Sequence, residues 1–337
     1  MWIAGIGWRG ETYDVVVVDS DGHDVLPPVG YVADGLGQLC ADLLDLGGTL
    51  SCVVDSTSGG LDGYLMAAGL TVYRADPWSL PARPAHGSAP AGVLAELGRT
   101  APAALTRLSP ETGSLAGRAE EYAAHIAASA GAERELAGSG RWLVRGGTAQ
   151  PEVALTFDDG PHPAFTPRVL DILRRYGVRA TFFCVGLNAC AYPELVARAV
   201  DEGHGVGNHT WSHPYLPDLS RDEVLHQVDA TGAALEKVIG TAPALVRPPY
   251  GSRTPDVLRW IAGRELTTVL WDVDAGDWAG PPAADITAKV TGATTAGSIV
   301  LMHDAGGDRS GTVEALPDIL ENLLGRGFRF VTVADLR

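Results

Sequence analysis

The feature that most constrains the fold is a regular alternation of strand-like and helix-like segments that runs from Pro151 to the C-terminus. We predict strands at 153–157, 180–185, 205–208, 243–246, 267–273, 298–302 and 328–331. Helix-sized segments separate most of them, at 166–176, 191–202, 220–239, 254–262, 283–293 and 312–325. Such alternation is typical of parallel strands wrapped by helices. The pattern therefore predicts a small, distorted (β/α) barrel.

A second strand–helix pattern occupies the N-terminal part of the chain, in the order β-β-β-α-β-α-β. Its predicted strands are 2–6, 13–18, 29–33, 50–54 and 70–73, and its helices are 36–46 and 61–68. The proline-, alanine- and serine-rich residues 77–117 predict loop with short helical pieces, and 118–136 predict an amphipathic helix. Several glycines make 138–150 a predicted linker. We therefore expect two α/β domains, 1–137 and 151–337, each with its own core.

Charge and composition exclude some partners and indicate a compartment. The formal net charge is −16, and no basic run offsets it, so a nucleic-acid backbone is not expected as a partner. The apolar runs are strand-sized, and the N-terminus lacks the basic start of an export signal. The four cysteines show no CxxC spacing and are interpreted as reduced thiols. Together these features predict a cytoplasmic protein that does not enter a membrane.

Polar, titratable residues cluster directly after the predicted strands of the C-terminal half. They are Asp158 and Asp159, then His209 and His213, then Arg247, then Asp274, and finally His303. The C-terminal ends of parallel barrel strands open on one face, and active sites lie there. Five segments that are far apart in sequence should therefore converge on one site.

Each segment also has a structural interpretation when it is taken alone. The aspartate pair could be a simple turn, Arg247 could form a surface salt bridge, and His303 could be a satisfied histidine at the barrel rim. The segment 274–278 could be a loop with a core tryptophan. In the functional interpretation, Arg247 clamps a catalytic carboxylate. The two imidazoles four residues apart, with one carboxylate, would then bind zinc or another transition metal and leave a position open for water.

The five segments, in this order, resemble the five motifs of the NodB-homology polysaccharide deacetylases, carbohydrate esterase family 4. The matching segments are Thr156-Phe-Asp-Asp-Gly-Pro161, His209-Thr-Trp-Ser-His213, Arg247-Pro-Pro-Tyr-Gly251, Asp274-Ala-Gly-Asp277-Trp278 and Leu301-Met-His303. The resemblance covers residues from about 147 to 337. It implies a NodB-type barrel and a metal-dependent hydrolase that removes the N-acetyl group of an amino sugar or saccharide.

The resemblance also implies a role for each matched residue. Asp159, His209 and His213 would bind one divalent metal, for which Zn²⁺ is expected first and Co²⁺ or Ni²⁺ are alternatives. Asp158 would be the general base, oriented by Arg247, and His303 the general acid, oriented by Asp274. The backbone N–H of Tyr250 would stabilise the oxyanion. Pro249, Trp278 and Leu301 would contact the substrate, with the last two lining the acetyl pocket.

The N-terminal half is similar to a ribonuclease-H-like domain of the kind found in RuvC-like transposases. The similarity lies in residues 3–18, 53–59 and 70–77, but the acidic metal ligands of such domains are not all present. Gly7 stands where the first aspartate would be, Asp55 could match a second acid, and the later pair is missing near Ser88-Ala-Pro-Ala91. A nuclease needs carboxylates to hold its metal ions. We therefore predict a non-catalytic domain for binding, packing or homodimer formation, and we expect residues from about 147 onward to fold and react alone.

Three other functions compete with N-deacetylation. The same site could act as an O-acetyl esterase or as an amidase on a small biosynthetic intermediate, because substrate loops vary freely on one fold. The fold could also serve as a binding module that has lost its activity, although the complete set of motif residues opposes that. A nucleic-acid enzyme is opposed by the charge and by Gly7.

Overall fold

The structure is a computed structural model that describes residues 1–82, 84, 86–147 and 150–336. Thr148 and Ala149, which belong to the predicted linker, lie outside the described residues. The described residues form two sheets, one of six strands in the N-terminal half and one of nine in the C-terminal half.

The N-terminal sheet has the strand order β3-β2-β1-β4-β5-β6. Its strands are β1 (Trp2–Arg9), β2 (Thr12–Val18), β3 (Asp24–Val32), β4 (Leu50–Asp55), β5 (Thr71–Ala75) and β6 (Thr106–Arg107). Strands β1, β2 and β3 are antiparallel neighbours, whereas β4 is parallel to β1 and β5 is parallel to β4. Helix α1 (Leu36–Asp45) precedes β4, and α2 (Gly59–Ala67) precedes β5. The predicted order of elements is confirmed, and the assignment to a ribonuclease-H-like fold stays a prediction.

One helix of this half lies in the segment predicted as loop with short helical pieces, and it is ten residues long. Helix α3 (Ala91–Thr100) packs on β1 so closely that a Cβ on Gly5 would overlap the carbonyl oxygen of Ala91. Its buried face consists of Ala91, Leu94, Ala95 and Gly98. Because three of these four residues are small, the sequence shows only a weak pattern of large apolar residues at helical spacing.

Gly7 and Asp55, the two positions compared above with nuclease metal ligands, both make close contacts within the N-terminal half. A Cβ on Gly7 would lie 2.6 Å from the Ser88 hydroxyl, so a larger side chain has no space there. Asp55 is buried, and its carboxylate accepts hydrogen bonds from the Ala89 amide at 2.7 Å and the Thr57 hydroxyl at 2.7 Å. That this half lacks nuclease activity stays a prediction.

The C-terminal sheet is a curled, parallel half-barrel with the strand order β13-β14-β8-β9-β10-β11-β12-β7, and β15 also pairs with β8. Its strands are β7 (Trp142–Leu143), β8 (Glu152–Asp158), β9 (Thr181–Cys184), β10 (Gly205–Asn208), β11 (Leu245–Val246), β12 (Thr267–Val269), β13 (Val273–Asp274), β14 (Ser298–His303) and β15 (Arg329–Phe330). The α/β class and the barrel are therefore confirmed in outline. The predicted strand 267–273 is two short strands, β12 and β13, at separate places in the sheet.

Helices surround this sheet nearly as the sequence predicts. They are α5 (Thr166–Tyr176), α6 (Gly186–Ala191), α7 (Pro193–Asp201), α8 (Arg221–Ile239), α9 (Pro255–Ala262), α10 (Ala283–Ala293) and α11 (Ser310–Gly325), and α4 (Ala119–Gly138) precedes them in the chain. Helix α8 begins with a capping box between Ser220 and Glu223 and ends at Gly240. The apolar faces of α5, α10 and α11 pack on β8 and β14 in the largest core cluster.

The predicted linker is wrong for its central residues. Trp142 and Leu143 form β7, which pairs in parallel with β12, and the Gly146 amide donates to the Gly297 carbonyl oxygen. The barrel sheet thus includes residues that precede 151. The glycines that suggested a linker lie on either side of β7. This strand is too short to be recognised from a sequence pattern.

The two halves share a hydrophobic core and several polar contacts. Val185, Leu187, Trp211 and Ala234 of the C-terminal half pack within the core cluster of the N-terminal sheet. Buried Arg118 bridges Asp76 at 2.8 Å and Asp218 at 2.7 Å. This shared core argues against the expectation that residues from 147 onward fold alone, since separation would expose its apolar side chains. The division into two domains stays a prediction.

Within the residues that the structure describes, no helix has the length and apolar character to cross a bilayer.

Candidate active site

The predicted site residues gather at the C-terminal ends of the barrel strands, around one cavity of about 480 Å³. The motif residues that line it are Asp158, Asp159, His209, His213, Tyr250, Asp274, Trp278, Leu301 and His303. Two predicted residues are not among its lining. Arg247 lies buried behind Asp158, and Pro249 is buried in the turn that carries Tyr250. Pro249 thus packs within this turn, and its contact with the substrate stays a prediction.

The predicted metal ligands form a compact triad. One ligand atom each from Asp159, His209 and His213 lie within 4.8 Å of one another. Asp159 Oδ1 is 3.4 Å from His209 Nε2 and 3.1 Å from His213 Nε2. This oxygen is buried and makes no hydrogen bond with a described residue, so it points at the imidazoles without hydrogen-bond geometry. An orphaned carboxylate oxygen between two imidazole nitrogens fits a bound cation.

Neighbouring groups set the orientation and charge of this triad. His209 Nδ1 lies 2.6 Å from the Arg247 carbonyl oxygen. This oxygen accepts a hydrogen bond from the Nδ1–H group, which leaves Nε2 available to bind a metal. Burial would raise the pKa of Asp159, but its electrostatic interaction with His213 and the contacts with both imidazoles hold that pKa well below its usual value. The triad therefore carries an ionised carboxylate.

The backbone at the site is in the left-handed region at several non-glycine residues. The values of φ are 74° at Asp159, 69° at Thr210, 59° at His213 and 60° at Tyr250. Such conformations cost about 1–3 kcal/mol each and persist where surrounding packing enforces them. Three of these four residues, Asp159, His213 and Tyr250, line the cavity.

The predicted base and its clamp are in direct contact. The Arg247 guanidinium donates to Asp158 Oδ1 at 2.7 Å and to the Thr156 hydroxyl at 2.7 Å. Burial lowers the pKa of Arg247, and the charge of Asp158 opposes that effect. The guanidinium also lies 4.2 Å from the centroid of the Phe183 ring. Arg247 is therefore a buried, fully oriented cation that fixes one oxygen of Asp158, while Asp158 Oδ2 lies 3.6 Å from His209 Nε2.

The partner of the predicted acid is Asp277, and the prediction of Asp274 is wrong. His303 Nδ1 lies 2.8 Å from Asp277 Oδ1, and the His303 amide donates to Asp277 Oδ2 at 2.8 Å. The Asp274 carboxylate instead accepts the Gly276 amide at 2.7 Å within its own turn. The chain reverses at Gly276, where φ is 69°, and this reversal brings the second aspartate of the motif behind the histidine.

Asp277 determines the charge of the histidine. Burial lowers the pKa of His303, but the charge of Asp277 and its hydrogen bond outweigh burial and raise it to about 9. Asp277 is itself buried, and burial would raise its pKa, but His303 holds it below its usual value. At neutral pH the pair is an imidazolium and a carboxylate, and the imidazolium can donate a proton.

The structure adds residues of the N-terminal half that sequence reasoning missed. Asp62 and Met66 of α2, the loop 110–115, and Tyr122 of α4 line the same cavity as the motif residues. The Tyr122 hydroxyl donates to the Tyr250 carbonyl oxygen at 3.0 Å, so this half also holds the peptide segment predicted to stabilise the oxyanion. Nothing in the sequence around these residues indicates catalysis. The glycines at 59, 60 and 63 were the available signal, since glycine within a helix often marks a close approach.

Comparison with known proteins agrees with this geometry. A model of the family described as "Polysaccharide deacetylase" matches residues 145–269. A peptidoglycan-N-acetylglucosamine deacetylase of Bacillus cereus is 44% identical over 186 residues, which are 55% of this chain and 68% of that protein. A chitooligosaccharide deacetylase of Sinorhizobium fredii is 41% identical over 199 residues, covering 56% of this chain and 93% of the other.

This chain belongs to the polysaccharide deacetylase family. A solved structure described as a peptidoglycan N-acetylglucosamine deacetylase superposes with a TM-score of 0.59 at 40% identity, and the match covers 60% of this chain and 96% of that one. The predicted family and deacetylase class are thus confirmed. Almost all of that deacetylase has a counterpart here, whereas a large part of this chain has none in it.

Proposed function

We propose that this polysaccharide deacetylase hydrolyses the N-acetyl group of an acetylated amino sugar by acid–base catalysis beside a metal. The observation that carries the proposal is the placement of three groups around one cavity. A clamped carboxylate, Asp158, and a cationic imidazole, His303, line it together with the Asp159–His209–His213 triad. The relatives named for deacetylation of peptidoglycan and chitooligosaccharides support N-acetylglucosamine units as the substrate.

The base and the acid divide the two proton transfers. Asp158, with one oxygen held by Arg247, takes a proton from the water that attacks the acetyl carbonyl carbon. As the C–N bond breaks, His303 donates its Nε2 proton to the departing amine, while Nδ1 remains held by Asp277. Acetate and the free amino sugar are then the products. An amide has a poor leaving group, so a histidine that is protonated at neutral pH suits this chemistry.

The carbonyl oxygen becomes negatively charged during attack. The Tyr250 N–H is proposed to donate to it, with the peptide held in a left-handed turn and its carbonyl fixed by Tyr122. Trp278 and Leu301 are proposed to contact the acetyl group from the cavity wall.

Asp159, His209 and His213 are proposed to hold one divalent metal. When bound, the ion polarises the carbonyl and lowers the pKa of water. Two imidazoles and one carboxylate, with a free position, suit Zn²⁺, and Co²⁺ or Ni²⁺ are alternatives. Chelator treatment followed by addition of each metal, with acetate release as the readout, tests this proposal.

The assay that tests the function measures acetate release from N-acetylglucosamine, its oligomers, peptidoglycan fragments and matched O-acetyl sugars. We expect N-acetyl sugars to be hydrolysed and the Asp158→Asn variant to be inactive on them. Release from O-acetyl sugars alone would favour the esterase alternative. The cytoplasmic location, homodimer formation and the ribonuclease-H-like nature of the N-terminal half stay predictions.

A further inference from the structure

We propose that the N-terminal half forms a wall of the catalytic cavity and thereby restricts the substrate to a short acetylated sugar or to the terminal sugar of a longer chain. The proposal rests on the proposed deacetylase function. It adds that sugars in the interior of a polysaccharide do not reach the site.

Helix α2 lies directly against the loops that carry the metal triad. A Cβ on Gly59 would overlap the Tyr250 hydroxyl and would lie 2.5 Å from the His213 carbonyl oxygen. The Gly60 amide donates to the Ser212 carbonyl oxygen at 3.3 Å. Glycine within a helix costs about 1 kcal/mol relative to alanine. These glycines are explained by backbone contact with the site.

The same helix continues to the opposite side of the strand ends. A Cβ on Gly63 would overlap the carbonyl oxygen of Gly306, in the loop after β14. The Tyr64 ring stacks on His162, in the loop after β8, with centroids 5.4 Å apart. Strands β14 and β10 are separated in the sheet by β8 and β9. Helix α2 therefore crosses the mouth of the barrel from one group of catalytic loops to another.

A second segment of the N-terminal half covers another part of the rim. The loop 110–115 lines the cavity, and a Cβ on Gly113 would lie 3.9 Å from the Trp278 ring, in the loop after β13. Tyr122 meets the Tyr250 carbonyl oxygen after β11. An internal sugar of a polymer continues in two directions, so its site must be a groove that is open at both ends. Walls beside the metal triad and beside Trp278 leave a pocket whose volume suits a small ligand.

The wall also brings a polar group to this pocket. Asp62 of α2 is 4% exposed and lines the cavity between Gly60 and Gly63. Ser114 of the loop 110–115 lines the same cavity. A carboxyl in the wall of a pocket can bind sugar hydroxyl groups. A terminal sugar has such a group free, whereas in an internal sugar that group takes part in a glycosidic linkage.

The first experiment uses the full chain and N-acetylglucosamine oligomers of increasing length, together with a soluble acetylated chitin polymer. Acetate is measured, and the position of each free amine is mapped by mass spectrometry. We expect one terminal sugar to be deacetylated, with a kcat/KM that stays within about threefold from the dimer to the hexamer. Free amines at internal sugars, or equal rates per acetyl group on polymer and dimer, would overturn the proposal.

Binding separates a failure of this proposal from a failure of the proposed function. The Asp158→Asn variant is titrated with the same oligomers by calorimetry. We expect the affinity to level off at the shortest oligomers, even if the wild-type chain releases no acetate from any of them. A hexamer that binds more than tenfold tighter than the dimer would contradict a closed pocket.

A paired substitution tests the wall itself. Gly63→Ala places a methyl group against the Gly306 backbone and should displace α2, so the kcat/KM ratio of hexamer to dimer should rise at least fivefold. Gly37→Ala is the matched control, because Gly37 also lies in a helix of this half and no atom of a described residue lies within 4 Å of an added Cβ. Metal content and melting temperature establish that each variant is folded. A folded Gly63→Ala protein with an unchanged ratio would refute the wall.

Discussion

The Asp277→Asn substitution tests the acid most directly, because it removes the charge that makes His303 cationic. In the wild-type protein, the carboxylate and its hydrogen bond raise the pKa of His303 to about 9 against the opposing effect of burial. Without that charge, nothing offsets the effect of burial, which lowers the pKa of His303. We therefore expect this pKa to fall to the ordinary value of about 6.5 or below. A fall of this size corresponds to about 3 kcal/mol of lost stabilisation of the imidazolium.

The rate consequence depends on pH in a defined direction. In the proposed mechanism His303 acts as an acid in its protonated form, so activity should be present below its pKa and be lost as pH rises through it. With a pKa of about 9 the histidine is mostly protonated at pH 8, whereas with a pKa of about 6.5 only about 3% is protonated. The variant should therefore lose about 30-fold in kcat/KM at pH 8 through this effect and much less at pH 6.

The assay is the ratio of variant to wild-type kcat/KM between pH 6 and pH 10, with metal content measured for both proteins. Asp274→Asn is the matched control, since it neutralises the other aspartate of the motif, which hydrogen-bonds Gly276. Whatever that control does to the rate, its ratio to wild type should not depend on pH. An alkaline limb of Asp277→Asn that stays near pH 9 would refute the assigned pairing.

Three further substitutions address the metal, the base and the oxyanion peptide. His209→Ala should abolish bound metal in elemental analysis, and a metal content equal to wild type would rule out the triad. Asp158→Asn should keep the metal but lose turnover, and retention of more than a few per cent of the rate would show that another group is the base. Tyr122→Phe removes a hydrogen bond to the Tyr250 carbonyl oxygen that is worth about 0.5–1.5 kcal/mol, so kcat should fall about two- to tenfold with metal unchanged. Tyr176→Phe, whose hydroxyl bonds an exposed glutamate, is the matched control and should keep full activity, and a Tyr122→Phe rate equal to it would show that the N-terminal half does not position this peptide.

The sequence alone is sufficient to predict the barrel and most of the residues that line the candidate site. Strand and helix periods are local properties, and so are the positions of titratable residues directly after strands. In parallel strands those positions meet at one end of the sheet, which is why the sequence pattern already groups Asp159, His209 and His213. The short strand β7 cannot be predicted in this way, because two residues are too few to show the alternation of apolar and polar residues that marks a strand.

Contacts between distant segments are decided only by the tertiary structure. The choice between Asp274 and Asp277 depends on the path of the backbone through the left-handed turn at Gly276, and the motif is compatible with either aspartate. The position of α2 over the Asp159–His209–His213 triad depends on a core that both halves build together. A helix pattern shows which face is apolar, but not which surface that face will cover, because packing partners are selected by shape and burial over the whole chain.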